Sequence, residues 1–210
     1  MSPSLQDLLQ QSSARHSHLC PRQVLGVRMG LAGLAALGLD APIKKHTALI
    51  IVETDGCFAD GIEVSTGATI GHRSLRVNDF GKIAATFADI NSGQAIRVSP
   101  TLDARQRAQS YAPNETNHYA VQLLGYQVIP DGELFRIRPV ILQPSLEAII
   151  SRPAVRVNCE QCGEEIINDR QVHINNSILC RACAHEGYYL QEAYSNTYSM
   201  SGFQPQSIKV

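Results

Sequence analysis

The sequence predicts an α+β core, with a mixed, mainly antiparallel sheet and packed helices, followed by a small metal-held unit. Apolar residues recur at helical spacing in several segments, while other segments are short apolar runs bounded by turn residues. The two kinds are interspersed without a regular strand–helix–strand repeat, which favours α+β over a parallel α/β fold. Four cysteines fall in two matched pairs near the carboxy end.

In chain order, Leu5, Leu8 and Leu9 predict a short amphipathic helix over 4–14. Pro21 suits the first turn of a second helix, because an amide there would have no intrahelical partner. Val24, Val27, Leu31, Leu34 and Ala35 line one side of that helix, which should end near Gly38. Ala48 to Val52 is nearly all apolar and reads as a buried strand. Asp55-Gly56 breaks it, and a helix follows over 59–66. Strands are expected at 75–77 and 82–88, joined by Asp79-Phe80-Gly81, and again at 95–98. Helix-favouring residues fill 100–110 and 114–124, and 134–142 reads as a strand. Pro144 and Pro153 bracket a short helical segment in a linker over 144–157. The expected organisation is a core at 1–150, a four-cysteine unit at 151–190, and a tail at 191–210 containing Tyr194 and Tyr198. Such a tail would dock on the core or another protomer, or stay loosely ordered.

An apolar content of 44% is enough to build a buried core. Eighteen basic against nineteen acidic side chains leave a net charge of −1, so no overall field calls for nucleic acid or an anionic membrane. The segment 24–43 is long and apolar, but Arg28, Asp40 and four glycines interrupt it. It reads as a buried helix whose small residues allow close approach, not as a membrane span. The first fifteen residues lack the basic start and apolar run of a secretory signal. With reduced cysteine pairs this points to the cytoplasm.

Cys159-Glu-Gln-Cys162 and Cys180-Arg-Ala-Cys183 are separated by seventeen residues. Each pair brings two sulfurs together from one tight turn, and two such pairs supply the four thiolates of a tetrahedral structural zinc site. Two disulfides are the alternative. His173 and His185 lie nearby, although four thiolates already fill such a site.

A second constellation lies near the amino end, in His16-Ser17-His18-Leu19-Cys20-Pro21. If extended, this segment would alternate His16, His18 and Cys20 onto one face. Cys57 follows the strand at 48–52 near a helix start, where the helix amino terminus would lower a thiol pKa. These four residues are candidates for a shared metal site, with Cys57, His18 and Lys82 as candidate catalytic groups. Burial as small apolar side chains is the competing reading for the two cysteines. Lys82 could meet an anionic ligand or simply be exposed. Thr66-Gly67-Ala68-Thr69-Ile70-Gly71 lacks the lysine and spacing of a phosphate loop or a dinucleotide fingerprint.

Together, His16-Ser17-His18-Leu19-Cys20-Pro21, Asp55-Gly56-Cys57, Thr66-Gly67-Ala68-Thr69-Ile70-Gly71 and Asp79-Phe80-Gly81-Lys82 resemble the formylmethanofuran dehydrogenase FmdE family over about residues 12–145. The resemblance implies an α+β core with a treble-clef-like zinc finger, commonly a homodimer. It also implies a polar core site at His16, His18, Cys20 and Cys57 with Lys82 nearby, and association with a molybdenum- or tungsten-dependent dehydrogenase of one-carbon metabolism. The chain departs from the family pattern at Ser17, Arg22 and Ala68, the last standing where the family often has cysteine.

Two functions compete. The first is a metal-binding protein, catalytic or accessory in one-carbon or redox metabolism, with a small-molecule ligand or second metal in its core. Without a ferredoxin-like cysteine run or dinucleotide fingerprint, the chain would be an auxiliary part of an oxidoreductase, not a complete dehydrogenase. The second is a binding or regulatory protein whose zinc finger contacts a protein or nucleic-acid partner. In that module Arg156, Arg170 and Arg181 are matched by Glu160, Glu164, Glu165 and Asp169, which leaves no phosphate-binding stripe.

Overall fold

Five consecutive apolar residues at Ala48–Val52 have no polar face to offer water, and they form the inner strand β1. The computed structural model describes residues 3–189, so the expected tail at 191–210 lies outside the described residues. The chain divides into two compact units, Met1–Ile149 and Ile150–Val210.

The first unit is built on a five-stranded sheet of order β2-β1-β3-β4-β5, comprising β1, β2 (Leu75–Val77), β3 (Ala85–Asp89), β4 (Ala95–Pro100) and β5 (Phe135–Pro139). β1 and β2 run parallel, with Ile50 opposite Leu75, and helix α3 (Cys57–Thr66) provides the crossover that parallel neighbours require. All other pairings are antiparallel. The sheet is therefore mixed and mainly antiparallel, with one strand–helix–strand unit.

Helix α1 (Leu5–Ser13) opens with a capping box: the Ser4 amide donates to the Asp7 carboxylate at 2.9 Å and the Asp7 amide to Ser4 Oγ at 3.2 Å. Helix α2 (Pro21–Ala36) starts at Pro21 and buries Val24, Val27, Met29 and Leu34. Among the described residues no helix is long and apolar enough to cross a membrane. The glycines of α2 do allow close approach. A Cβ at Gly26 would run into the Phe58 carbonyl oxygen and lie 3.0 Å from Gly61 Cα, and a Cβ at Gly61 would sit 2.6 Å from the Gln23 carbonyl oxygen. Helices α2 and α3 thus meet backbone to backbone, over a core that includes Ile50, Phe58, Ile62, Phe87 and Val98.

Several boundaries differ from the sequence expectation for local reasons. Helix α3 begins at Cys57, not 59. Strand β3 begins at Ala85 instead of Lys82. Gly81 (φ 64°) donates to Asp79 Oδ1 at 2.8 Å, and the Phe80 and Lys82 amides both turn to the Glu53 carbonyl. Helix α4 is Ala104–Tyr111 and helix α5 is His118–Val128. α5 starts late because the Asn117 side chain, not Asn114, accepts from the Tyr119 and Ala120 amides. A short helix α6 (Asp131–Leu134) takes the start of the expected last strand, and α7 (Leu146–Ile150) lies in the linker segment.

The second unit contains two hairpins, β6 (Arg156–Asn158) with β7 (Glu165–Ile167), and β8 (Val172–Ile174) with β9 (Ser177–Leu179). Asn175 and Asn176, at φ 48° and 71°, make the two-residue turn of the second hairpin. A short π-helical segment, α8 (Ala182–Glu186), follows. Its core is Cys159, Ile166 and Cys183, with Val157, Cys162, Leu179 and Cys180 packed around them. So few apolar side chains cannot hold a fold of this size alone, and the cysteines make up most of that core.

Candidate functional site

A turn after β6 places Cys159 and Cys162. The Cys159 amide donates to the Glu164 carbonyl at 2.9 Å, the Gly163 amide closes back on the Cys159 carbonyl at 2.8 Å, and Gly163 has φ 78°. Cys180 follows β9 and Cys183 lies in α8. The four sulfurs all lie within 4.8 Å of one another, and among the described residues they form the group that could hold a metal ion. All are free thiols, which sets aside the disulfide alternative; Cys162 Sγ and Cys180 Sγ are 3.9 Å apart. His173 and His185 are not part of the group.

Backbone amides aim at these sulfurs: Cys180 N donates to Cys159 Sγ at 3.2 Å and Cys183 N to Cys180 Sγ at 3.4 Å. Burial pushes the Cys159 thiol up, but the amides of Cys162, Cys180 and Gln161 outweigh it and hold the pKa down at about 6. Burial and the neighbouring thiols push Cys183 well up. One thiolate therefore forms readily and opposes ionisation of the others, a conflict that a cation at the centre resolves. A sulfur-lined knuckle in the turn of the first hairpin and a second pair between the second hairpin and a helical segment match the expected finger.

The amino-terminal constellation is assembled differently from the extended-strand expectation. After α1 the chain turns, with Arg15 N donating to the Ser12 carbonyl and His16 N to the Ser13 carbonyl, so His16, His18 and Cys20 do not alternate along a strand. Cys20 caps α2, with its amide 2.7 Å from Gln23 Oε1. The buried Gln23 in turn donates from Nε2 to the Ser12 carbonyl at 2.9 Å. Because α2 and α3 pack through Gly26 and Gly61, their amino ends converge. After burial, Cys20 is the side chain that most raises the Cys57 thiol pKa, which makes the two thiols neighbours at these helix ends.

The expectation that the helix end would lower the Cys57 pKa does not hold. Burial raises it, and Cys20 and Asp60 add to the rise, against a smaller opposing effect from the Cys57 amide. Tyr119, whose hydroxyl donates to the Leu19 carbonyl at 3.1 Å, lies near the pair. Its phenol is pushed up by burial and then by the two cysteines. His16 is engaged elsewhere, 2.6 Å from Asp60 Oδ2, and the exposed His18 has Nδ1 3.1 Å from Ser17 Oγ. The structure therefore joins Cys20 and Cys57 but does not gather them with His16 and His18 into one compact ligand group.

Lys82 is exposed. Its amide donates to Glu53 at the carboxyl end of β1, the end from which the chain continues to Cys57, and its Nζ lies 5.8 Å from the Phe80 ring centroid. Glu53 is anchored by a two-pronged pair with Arg97, at 2.5 and 2.6 Å. Ala68, at the position where the family often has cysteine, is fully buried.

Sequence reasoning missed Asp60, Glu63 and Tyr119. Asp60 stands three residues after Cys57 on the same helix face, a spacing that could have placed it. Arg15 pairs with both Asp60 and Glu63, which ties the segment before α2 to α3. Nothing local marks Tyr119, which arrives from a distant helix.

Comparison with known proteins adds three findings. Residues 15–135 match the family model FmdE, described as molybdenum formylmethanofuran dehydrogenase operon. The chain is 29% identical over 205 residues to a probable S-adenosyl-L-methionine-binding protein of Archaeoglobus fulgidus, covering 86% of this chain and 53% of that protein. The chain thus spans about half the length of the curated relative it matches. A crystal structure of a tungsten formylmethanofuran dehydrogenase FmdE-like protein from Syntrophus aciditrophicus superposes with a TM-score of 0.57 at 20% identity. The superposition covers 90% of this chain and 96% of that one, and shows a shared fold.

Proposed function

The chain belongs to the FmdE family, and from that premise we propose that it is a metal-binding protein whose core site is the meeting of Cys20 and Cys57, working as an accessory to one-carbon or redox metabolism. The observation that carries this reading is the convergence of the two thiols at the amino ends of α2 and α3. Two soft sulfurs at one point are a partial donor set for zinc, nickel or iron. His16 and His18 are proposed to complete it with imidazole nitrogen, which requires a bound metal to draw His16 from Asp60 and His18 from Ser17. Cys57, His18 and Lys82 are the groups proposed to meet substrate, Lys82 through an anionic portion.

The four-cysteine centre is proposed to hold structural zinc. A tetrahedron with zinc–sulfur bonds of about 2.3 Å has sulfurs about 3.8 Å apart, against the 3.9 Å between Cys162 and Cys180. Such a metal holds the small unit together and takes no part in chemistry. A homodimer, association with a larger dehydrogenase and a cytoplasmic setting belong to the same proposal through the family.

The test is protection of Cys57 from alkylation in the full chain. Zinc, nickel or iron(II) added beyond one equivalent should slow modification of Cys57 by N-ethylmaleimide, read by peptide mass spectrometry, and Cys20→Ser should remove the protection. An unchanged rate with every ion would overturn a metal at this site. S-adenosylmethionine forms a second arm, suggested by the name of the Archaeoglobus relative. Protection by it alone would replace the metal with an adenosyl ligand as the occupant.

A further inference from the structure

A cavity of about 240 Å³ opens at the other end of β1 and α3 from Cys57. Lys44, Lys45 and His46 reach it just before β1, Gly67 at the end of α3, and His72 and Ser74 just before β2. β1 and α3 are each roughly 15 Å long, so their full length separates this cavity from the cysteine pair.

Both walls are fixed by hydrogen bonds. The Ile43 amide donates to the Thr66 carbonyl at 2.8 Å, and Thr47 Oγ1 donates to the Lys44 carbonyl at 2.8 Å, closing a turn in which His46 has φ 60°. On the other wall the Thr69 hydroxyl lies 2.8 Å from His72 Nδ1 and accepts from the His72 amide at 3.1 Å, which orients the ring and leaves Nε2 available. The Ser74 hydroxyl accepts from the Thr69 amide at 3.0 Å.

The charge at this place is one-sided. Among the described residues no carboxylate lines the cavity, and neither Lys44 nor Lys45 has an ion-pair partner. Half of the four lysines of the chain are here, in a protein of net charge −1. The carboxyl end of α3 attracts cations, but with only about half a unit charge. Its Glu63 and Thr66 carbonyls already accept from the Gly67 and Ile43 amides. Two ammonium groups exceed what that helix end can balance, and the two imidazoles add ring nitrogens able to donate hydrogen bonds.

From this geometry we infer that the cavity binds a phosphate group, as inorganic phosphate or as the head of a small phosphorylated ligand. Phosphate carries about 1.5 to 2 negative charges and several acceptor oxygens, which matches donors arriving from separate walls. The volume is below the roughly 300–1,000 Å³ of pockets that enclose larger ligands, so anything beyond the phosphate projects into solvent.

The test is a titration of the full chain, followed through the histidine side-chain resonances in nitrogen-15 spectra, with sodium chloride adjusted to hold ionic strength constant. Inorganic phosphate should shift the His72 and His46 signals along a saturating curve, and K44Q/K45Q should weaken binding by about tenfold or more. Both lysines are exposed, so an unchanged melting temperature will confirm that the double variant folds. Glycerol 3-phosphate binding more tightly than phosphate identifies a phosphorylated ligand; equal affinity identifies free phosphate. Shifts that do not saturate, or that K44Q/K45Q leaves unchanged, would overturn the inference and mark the lysines as a solvated turn.

Discussion

Replacing Gly26 by alanine tests the packing that brings the two core cysteines together. The new methyl would be driven into the Phe58 carbonyl oxygen and within 3.2 Å of the Ile62 amide nitrogen, all backbone of α3 that cannot rotate aside. Overpacking costs about 1–3 kcal/mol, and an immovable neighbour places this case near 3. Alanine returns about 1 kcal/mol of helix propensity, leaving a net loss of about 2 kcal/mol. Gly30→Ala is the control. Its methyl meets the Ser65 hydroxyl and lies 2.9 Å from Thr66 Cγ2, side-chain atoms that can give way, with the loss of the 2.8 Å Ser65 bond to the Gly61 carbonyl, so the net loss should be smaller than for Gly26→Ala. Native-state hydrogen exchange of α2 and α3 amides measures both variants within the first unit alone. A Gly26→Ala core as stable as the parent, or a Gly30→Ala core that is the less stable of the two, would refute the reasoning.

Two further outcomes follow from the same structure. Cys162→Ser should unfold the small unit, because apparent zinc binding free energies of about 10–16 kcal/mol are typical of such fingers and one lost ligand forfeits much of that; hydrogen exchange should show the β6–β9 amides unprotected, while the sheet of the first unit keeps its protection. Asp89, the last residue of β3, is held below the usual carboxylate range by the Ser92 hydroxyl and the Asn91 and Ser92 amides of the turn that follows. A depressed folded pKa gives stability that is present above the unfolded value of about 3.9 and lost as pH falls through the folded one. Asp89→Ala should therefore cost about 2 kcal/mol at pH 7 in urea unfolding, with the gap narrowing below about pH 4.

The parts of the fold legible in the sequence are those where one local pattern decides. The apolar run at 48–52, Pro21 at a helix start and the paired cysteines each carry their own physical reason, and all appear where expected. The glycines of α2 signalled close approach, and the approaching element is α3. What stayed hidden depends on distant partners. The Glu53 carbonyl draws off the Phe80 and Lys82 amides and shortens β3, and no local pattern in 79–84 announces that. At the core site, the sequence marked Cys20 and Cys57 but grouped them with His16 and His18 by proximity along the chain. The fold instead sets the two thiols beside each other near Tyr119 of α5 and gives His16 to Asp60. The four-cysteine centre was legible because its geometry is set by two tight turns, whereas the core site is set by helix packing.

The central claim is that the protein keeps a structural metal centre and a separate binding site at the Cys20–Cys57 pair. The most direct measurement counts zinc equivalents bound by the metal-free full chain, by Cys57→Ser and by Cys162→Ser. The parent chain should bind two equivalents and each variant one fewer, with unfolding of the small unit confined to Cys162→Ser. A Cys57→Ser chain that binds as much zinc as the parent would contradict the central claim.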